Sequence, residues 1–439
     1  MTNYLIKEDV NRSATATKNG IDTIYVHLIG IWLFLSCCTF PIKIKIIKMV
    51  GQFPIKISDI VLLIAFLLCL TFRTKRPTAS FSIMMLILLP ATFLAITGEA
   101  PLFYLVTDFQ GFIYIFVGYM CLQSLTEVNQ LKILTRYAVT TLWISAIIEF
   151  AIIKGKLTYA APLRSSIDVY GSSNLGRLVT NTQYLALGAL SLSIYLLITT
   201  KVSRALIFLA MAPAAAIAVL AGTRISIIFI VVPFIYTGFK RRGQISKRKI
   251  LKVLISFVGA LSLYLVYKTL FSSSPSTLSE YAQNLFTRLA LITNNRSGIT
   301  DSSIIYRQSE TSHAILGIVN KPIFGYGYGI PYTGSLTSGS SNDWLAVNGN
   351  VYVHATYLWL LIKGGLFGFA LIIGWIISVI RKKFFLSPYL TSTIWAILIS
   401  GLVWNFVAGI GESVVFGGLL GLSNCAIVVK NSRNQPANA

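Results

Sequence analysis

Charge is scarce in this chain. Asp, Glu, Lys and Arg together make up 12% of its 439 residues. That is about half of what a soluble domain carries, and a soluble globular fold is excluded. Acidic residues are the scarcer sign, 14 against 37 Lys and Arg, which leaves a net charge of +23. The five cysteines, Cys37, Cys38, Cys69, Cys121 and Cys425, all fall in apolar runs, and no pair has metal-ligand spacing. Neither a metal site nor a disulfide framework is expected of them, and they read as small core or lipid-facing residues. No internal repeat stands out. No small-residue cleavage pattern follows the first apolar run, which begins near Ile21, so that run is expected to be a retained span and not a removed signal.

What the chain has is apolar length. Hydrophobic residues make up 55% of it, in membrane-spanning runs that recur from end to end. The expected fold is an all-α polytopic membrane protein with about twelve spans, near 22–40, 55–72, 80–97, 109–126, 133–153, 180–199, 204–221, 224–239, 250–270, 351–380, 388–408 and 412–429. The densest basic clusters, "FRTKRP" (72–77), "KRRGQISKRK" (240–249) and "RKK" (381–383), all fall in cytoplasmic loops if the N-terminus is inside. Basic charge between apolar runs fixes orientation, so membrane lipids and not nucleic acid are the expected contacts. "KIKIIK" (43–48) then falls outside; it reads as an interfacial amphipathic piece unless the first two spans are misplaced. The organisation is spans one to nine over 1–270, one large outer loop over 271–350 and three spans with a short tail over 351–439. The tail, "KNSRNQPANA", reads as disordered.

A hydrophilic segment of about eighty residues is too long for a connector and points to function. It and the smaller outer loop 154–179 carry arginines that the orientation rule does not explain: Arg164, Arg177, Arg288, Arg296 and Arg307. Within "DSSIIYRQSETSHAILGIVNKPIFGYGYG" (301–329), Asp301 and Ser302 are good helix N-caps, and apolar residues follow at roughly helical spacing. Pro322, Gly325, Gly327 and Gly329 then stop the helix. Arg307 and His313 are thus expected on a short helix outside the membrane. In the Gly-rich run, Tyr326 and Tyr328 flank a flexible backbone; taken alone, a tight turn with packing rings is the favoured reading, and a Gly-rich turn that presents N–H groups to an anion is the other. "SGSSNDW" (338–344) mixes hydroxyls and a ring in the way that suits sugars.

The loop and its borders resemble the O-antigen ligase/polymerase family of bacterial polysaccharide assembly. The residues that carry the resemblance are "YRQSE" with Arg307, "KPIFGYGYG", the polar interval 330–350, and "VHATYLWLLIKGGLFG" with His354 at the head of a span. "AGTRIS" (221–226) looks like the family's small-residue–Arg motif, and "GRLVTNTQYLALG" (176–188), with Arg177 and Asn181, like its Arg-then-Asn motif. The likeness covers roughly 175–381. It departs from the family pattern at Ala355, where Asn commonly follows the His, and in having no Trp between Arg307 and Pro322.

The resemblance implies a C-type glycosyltransferase. Its donor is a glycan on undecaprenyl diphosphate and its acceptor a hydroxyl at the periplasmic face of the inner membrane. In a polymerase the acceptor is another lipid-linked repeat unit; in a ligase it is the lipid A core. Polymerase is the expected activity, ligase the runner-up, and a chain-length regulator an expected partner. The leaving diphosphate gains charge as the anomeric bond breaks. The chain has no Asp-x-Asp and few outer-face carboxylates (Glu99, Asp108, Asp168, Glu280, Asp301, Glu310, Asp343 and Glu412), so no metal and no cofactor are expected. Arginine, whose planar fork grips phosphate oxygens in pairs, is the alternative. Arg224 and Arg307 are expected to hold the diphosphate with Arg177 as a weaker third, and Asn181, Arg288, Tyr326 and Tyr328 to line the substrate site. His354 is the expected general base, because a sugar hydroxyl is a poor nucleophile until it loses a proton and imidazole suits that work. His313 reads as structural or solvated, His27 as buried in the bundle, and Glu149 and Asp59 as partners for arginine or polar contacts between helices. A transporter or flippase for lipid-linked sugars is the reading of another class. It calls for related halves and for ionisable residues near the bilayer midplane, and neither stands out in the sequence.

Overall fold

The structure, a computed structural model, describes residues 22–39, 46–50, 53–72, 102–153, 180–199, 203–221, 225–240, 302–330, 353–381, 388–407 and 410–425, together with 82, 86, 89, 167–168, 177–178 and 223. The helices are α1 (Asp22–Cys37), α2 (Ile57–Phe72), α3 (Leu102–Gln123), α4 (Val128–Ile153), α5 (Gln183–Thr199), α6 (Arg204–Ala221), α7 (Ile225–Lys240), α8 (Ser302–Asn320), α9 (Thr356–Arg381), α10 (Pro388–Ser400) and α11 (Ile410–Asn424). The described architecture is α-helical apart from two short antiparallel ribbons. One pairs β1 (Ile46–Val50) with β2 (Phe53–Lys56), and the other pairs β3 (Ile167–Asp168) with β4 (Arg177–Leu178). The described part of the 43–48 stretch is the start of the first hairpin strand, with Lys48 opposite Ile55. The expected spans near 80–97 and 250–270 and the C-terminal tail lie outside the described residues, the isolated positions 82, 86 and 89 apart.

The distribution of polarity is that of a protein dissolved in lipid. Large apolar side chains face outward in stripes: Ile60, Leu63, Ile64, Leu67 and Leu70 on α2, Ile147 and Phe150 on α4, Leu206 and Leu209 on α6, Ile227, Val231 and Ile235 on α7. Hydroxyls and carboxylates sit inside, among them Thr141, Ser145, Glu149, Thr182, Ser191 and Thr393. Lipid offers backbone and side-chain polar groups no partner, so they are satisfied between helices. Val128–Ile152 and Thr356–Ile380 are long and apolar enough to cross a membrane, and six of the other described helices are apolar but shorter. The chain is a membrane protein.

Small residues set the closest helix approach. A Cβ on Gly417 would lie 2.4 Å from the Ile115 carbonyl oxygen and one on Gly421 2.6 Å from that of Tyr119. Helices α11 and α3 therefore pack backbone to backbone, which only glycine permits at these two positions. Helix α5 packs against α6, α7, α10 and α11. Helix α10 ends at Ser400, earlier than the span 388–408 that its apolar run predicts. Gly401 begins a turn over 401–407, and that turn braces the head of α9.

Candidate functional site

The site is built on α9 and on the segment that precedes it in the chain. Residues Glu310, Ala314 and Gly317 are buried on one stripe of α8, the i, i+4, i+7 spacing of a helix face. A Cβ on Gly317 would lie 2.8 Å from Ile362 of α9, and Glu310 contacts His354 just before α9 begins. Helix α8 thus runs parallel to the first half of α9 and packs against it. Its apolar residues Ile315, Leu316 and Val319 face away from α9 and are about half to two-thirds exposed.

Beyond α8 the chain inserts into a break in α9. Gly365 has φ 61° and ψ −168°, which interrupts the helix. The carbonyls freed there are taken up by the Gly/Tyr turn: Tyr326 N–H donates to Ile362 O at 2.8 Å and Gly327 N–H to Lys363 O at 2.9 Å. In return Leu366 N–H donates to Pro322 O at 2.8 Å and Phe367 N–H to Ile323 O at 3.1 Å. Side chains are sterically excluded at the crossing, since a Cβ on Gly365 would lie 2.2 Å from the Ile323 carbonyl oxygen and one on Gly325, at φ 67°, 2.6 Å from Gly365 N. The kink therefore has a cause, inserted backbone. It joins "PIFGYG" to "KGGLFG", two stretches that the sequence offers as separate motifs.

A buried ion pair fixes the end of that turn. Lys363 Nζ lies 3.2 Å from Asp108 Oδ2, with side-chain exposures of 0% and 4%. Lys363 Nζ also donates to Ile330 O at 2.6 Å, and Gly329 N–H donates to Asp108 Oδ2 at 2.8 Å. Tyr328 packs between Phe109, Phe112 and Trp359, with ring centroids 5.0, 5.6 and 5.7 Å away. Burial, helped by the Asp108 carboxylate, pushes its hydroxyl well above the ordinary range, so Tyr328 stays protonated. Tyr326 is half-buried, with Lys321 Nζ 4.7 Å from its ring centre.

His354 stands where this assembly meets α9. Its backbone N–H donates to Glu310 Oε1, and its Nδ1 lies 2.6 Å from Glu310 Oε2. A carboxylate only accepts, so Nδ1 carries a proton. Glu310 is 2% exposed and the His354 side chain 25%. The Trp404 ring meets the imidazole edge to face at 6.2 Å, and Glu412 is buried near the head of α11. The start of α9 is laced to the 401–407 turn: Thr356 N–H donates to Gly401 O at 2.9 Å, Thr356 Oγ1 to Trp404 O at 2.9 Å, and Asn405 Nδ2 to Val353 O at 3.0 Å. His354 is thus held from two sides.

A second polar group lies near the head of α11. A Cβ on Gly411, next to Glu412, would lie 2.0 Å from Asn181 O, so Asn181 sits against the head of α11. Thr180 Oγ1 and Thr39 Oγ1 donate to Glu149 Oε1 at 2.6 and 2.7 Å. Thr39 Oγ1 also lies 2.9 Å from Thr182 Oγ1, and Thr182 Oγ1 donates to Ser145 Oγ at 3.0 Å. Gln183 Nε2 donates to Thr223 Oγ1 at 2.5 Å, which brings the stretches 176–188 and 221–226 together.

Of the residues singled out in the sequence, His354, Asn181, Tyr326 and Tyr328 are placed as above. Arg307 lies on α8 three residues before Glu310, about one helical turn away. Arg177 is in β4, in register with Asp168. Arg224 and Arg288 lie outside the described residues. His27 is exposed, with Nδ1 3.1 Å from Tyr137 Oη, and not buried in the bundle. Asp59 accepts from Tyr114 Oη. Glu310, Trp404 and Glu412 join the site without having been assigned to it; for Glu310 the available signal was its place one helical turn after Arg307. Among the described residues no group of three or more His, Cys, Asp or Glu could hold a metal ion.

Residues 178–373 match the protein-family model described as O-Antigen ligase. The match supports the O-antigen ligase/polymerase family, and the matched stretch contains Asn181, Arg224, Arg307, Glu310 and His354. No curated protein matches the chain.

Proposed function

We propose that this membrane protein is a glycosyltransferase that polymerises undecaprenyl-diphosphate-linked oligosaccharide repeat units at the periplasmic face of the inner membrane. The observation that carries the reading is the placement of His354. It stands at the head of α9, partly exposed, on a helix pair that also carries Arg307 and within the matched stretch. The acceptor hydroxyl gives its proton to the imidazole, and its oxygen attacks the anomeric carbon of the donor. The bond from that carbon to the diphosphate breaks, and the electron pair leaves with the phosphate oxygen. Guanidinium groups of Arg307 and Arg224, with Arg177 as a third, balance the growing charge without a bound cation. Asn181, Arg288 and Tyr326 contact the glycan, while Tyr328, buried under α9, supports the turn that carries Tyr326.

Ligation of the glycan to the lipid A core is the second reading, and the family description itself names a ligase. A deletion strain separates the two. Loss of a polymerase leaves lipid A carrying a single repeat unit. Loss of a ligase leaves it bare while lipid-linked chains accumulate. Unchanged glycan length and attachment would refute both.

A further inference from the structure

We propose that Glu310 is a positioning residue for His354: it fixes the imidazole so that Nε2, and not Nδ1, takes the proton of the acceptor hydroxyl. The inference rests on the reading of His354 as general base and adds to it the group that makes the histidine one. Three observations carry it. Both carboxylate oxygens are engaged by the same residue, Oε1 by the His354 backbone N–H and Oε2 by the ring Nδ1. The first contact fixes where the residue sits and the second fixes the rotation of its ring, so a ring flip would break a 2.6 Å hydrogen bond. Glu310 is 2% exposed while the imidazole is 25% exposed, so the buried partner does the holding and the accessible one meets substrate.

The charge balance favours the same division of roles. Among the described residues the buried carboxylate meets the backbone N–H and the ring Nδ1 of His354. When Nε2 takes a proton, the imidazolium and the carboxylate become an ion pair, so the proton transfer relieves a buried charge instead of creating one. Trp404, edge to face at 6.2 Å, limits the imidazole on another side. Because Glu310 lies three residues after Arg307 on α8, the same contact sets the register between the helix that carries Arg307 and the histidine.

The test uses the full chain, purified and reconstituted, acting on the lipid-linked glycan extracted from a deletion strain. Glu310→Gln keeps the shape but has one acceptor oxygen for two N–H donors. It is expected to lower kcat roughly 100-fold, the cost of a catalytic group displaced by about 1 Å. The acceptor KM should stay within about threefold, since ground-state binding is not touched. Glu310→Asp, which keeps the carboxylate on a shorter arm, should recover part of that loss. Glu310→Gln combined with His354→Ala should be no slower than His354→Ala alone, because a residue that acts only through the histidine has nothing left to position. Wild-type kcat in Glu310→Gln, or a double variant well below His354→Ala, would overturn the proposal. If His354→Ala itself turned over normally, the reading of His354 as base would fall and this inference with it. If His354→Ala is inactive and Glu310→Gln is not slowed, only the inference falls.

Discussion

Two carboxylate contacts tie the segment 302–330 to the bundle, Lys363 with Asp108 and His354 with Glu310, and they differ in what they leave open to solvent. Lys363 and Asp108 are buried at 0% and 4% exposure, and their remaining hydrogen-bonding capacity is spent on Ile330 O and Gly329 N–H. His354 and Glu310 stand at 25% and 2%, so one partner of that pair is reachable. Similar chemistry thus serves two ends. The closed pair locks the Gly/Tyr turn into the break of α9, and the half-open pair sits where the proposed substrate arrives. A closed pair contributes to folding through the cost of breaking it. The lesson is that burial, and not the presence of charge, separates the structural pair from the one proposed to do chemistry.

The sharpest way to break the comparison is to strip the proposed chemistry without touching the closed pair. Arg307→Ala, in a deletion strain expressing the variant, should abolish chain extension, a loss of about 10³-fold or more for a group that stabilises transition-state charge. A wild-type glycan ladder would remove Arg307 from the site. The converse change acts on stability. Lys363→Met leaves Asp108 buried and unpaired, and thermal unfolding in detergent should show a loss of about 3–5 kcal/mol. Removing both charges, by Lys363→Met with Asp108→Leu, should cost less than the single change. His354→Ala should cost less than Lys363→Met, because Glu310 keeps the backbone N–H of residue 354 as a donor.

Next in size are the glycines of the crossing. Gly365→Ala or Gly325→Ala places a Cβ against backbone at a positive φ, and strain alone should cost roughly 1–3 kcal/mol. Activity lost in proportion to folded protein would fit; a stable, active Gly365→Ala variant would contradict the interlocked turn. The smallest effect is expected at Glu149. Its Oε1 accepts two threonine hydroxyls and its Oε2 has no hydrogen-bond partner among the described residues. Glu149→Gln keeps an acceptor for those hydroxyls, so stability should change by less than about 1 kcal/mol, the scale of one hydrogen bond, with the glycan ladder intact.

Local features were legible in the sequence. The run at 204–221 is the helix Arg204–Ala221 to the residue, and α8 begins at Ser302, one of the two residues expected at its start. His354 lies at the head of α9, and the Gly/Tyr run is a tight turn with packed rings. Features that depend on a distant partner were not legible. The span read as unbroken over 351–380 is interrupted at Gly365, because backbone from 322–327 fills the gap. The run over 388–408 stops at Ser400, because the next seven residues are recruited to brace Thr356 and His354. The strand Ile46–Val50 pairs with Phe53–Lys56, whose last two residues belong to a run that reads as the head of a helix. Glu310 was visible as an outer carboxylate, and its histidine, 44 residues away in the chain, was not.

The most direct test of the whole account is glycan transfer by purified, reconstituted protein on extracted lipid-linked repeat units, wild type against His354→Ala. The account predicts that the wild type builds chains longer than one unit, and that the variant, folded and with the same elution profile, builds none. Chains of wild-type length made by His354→Ala would contradict it.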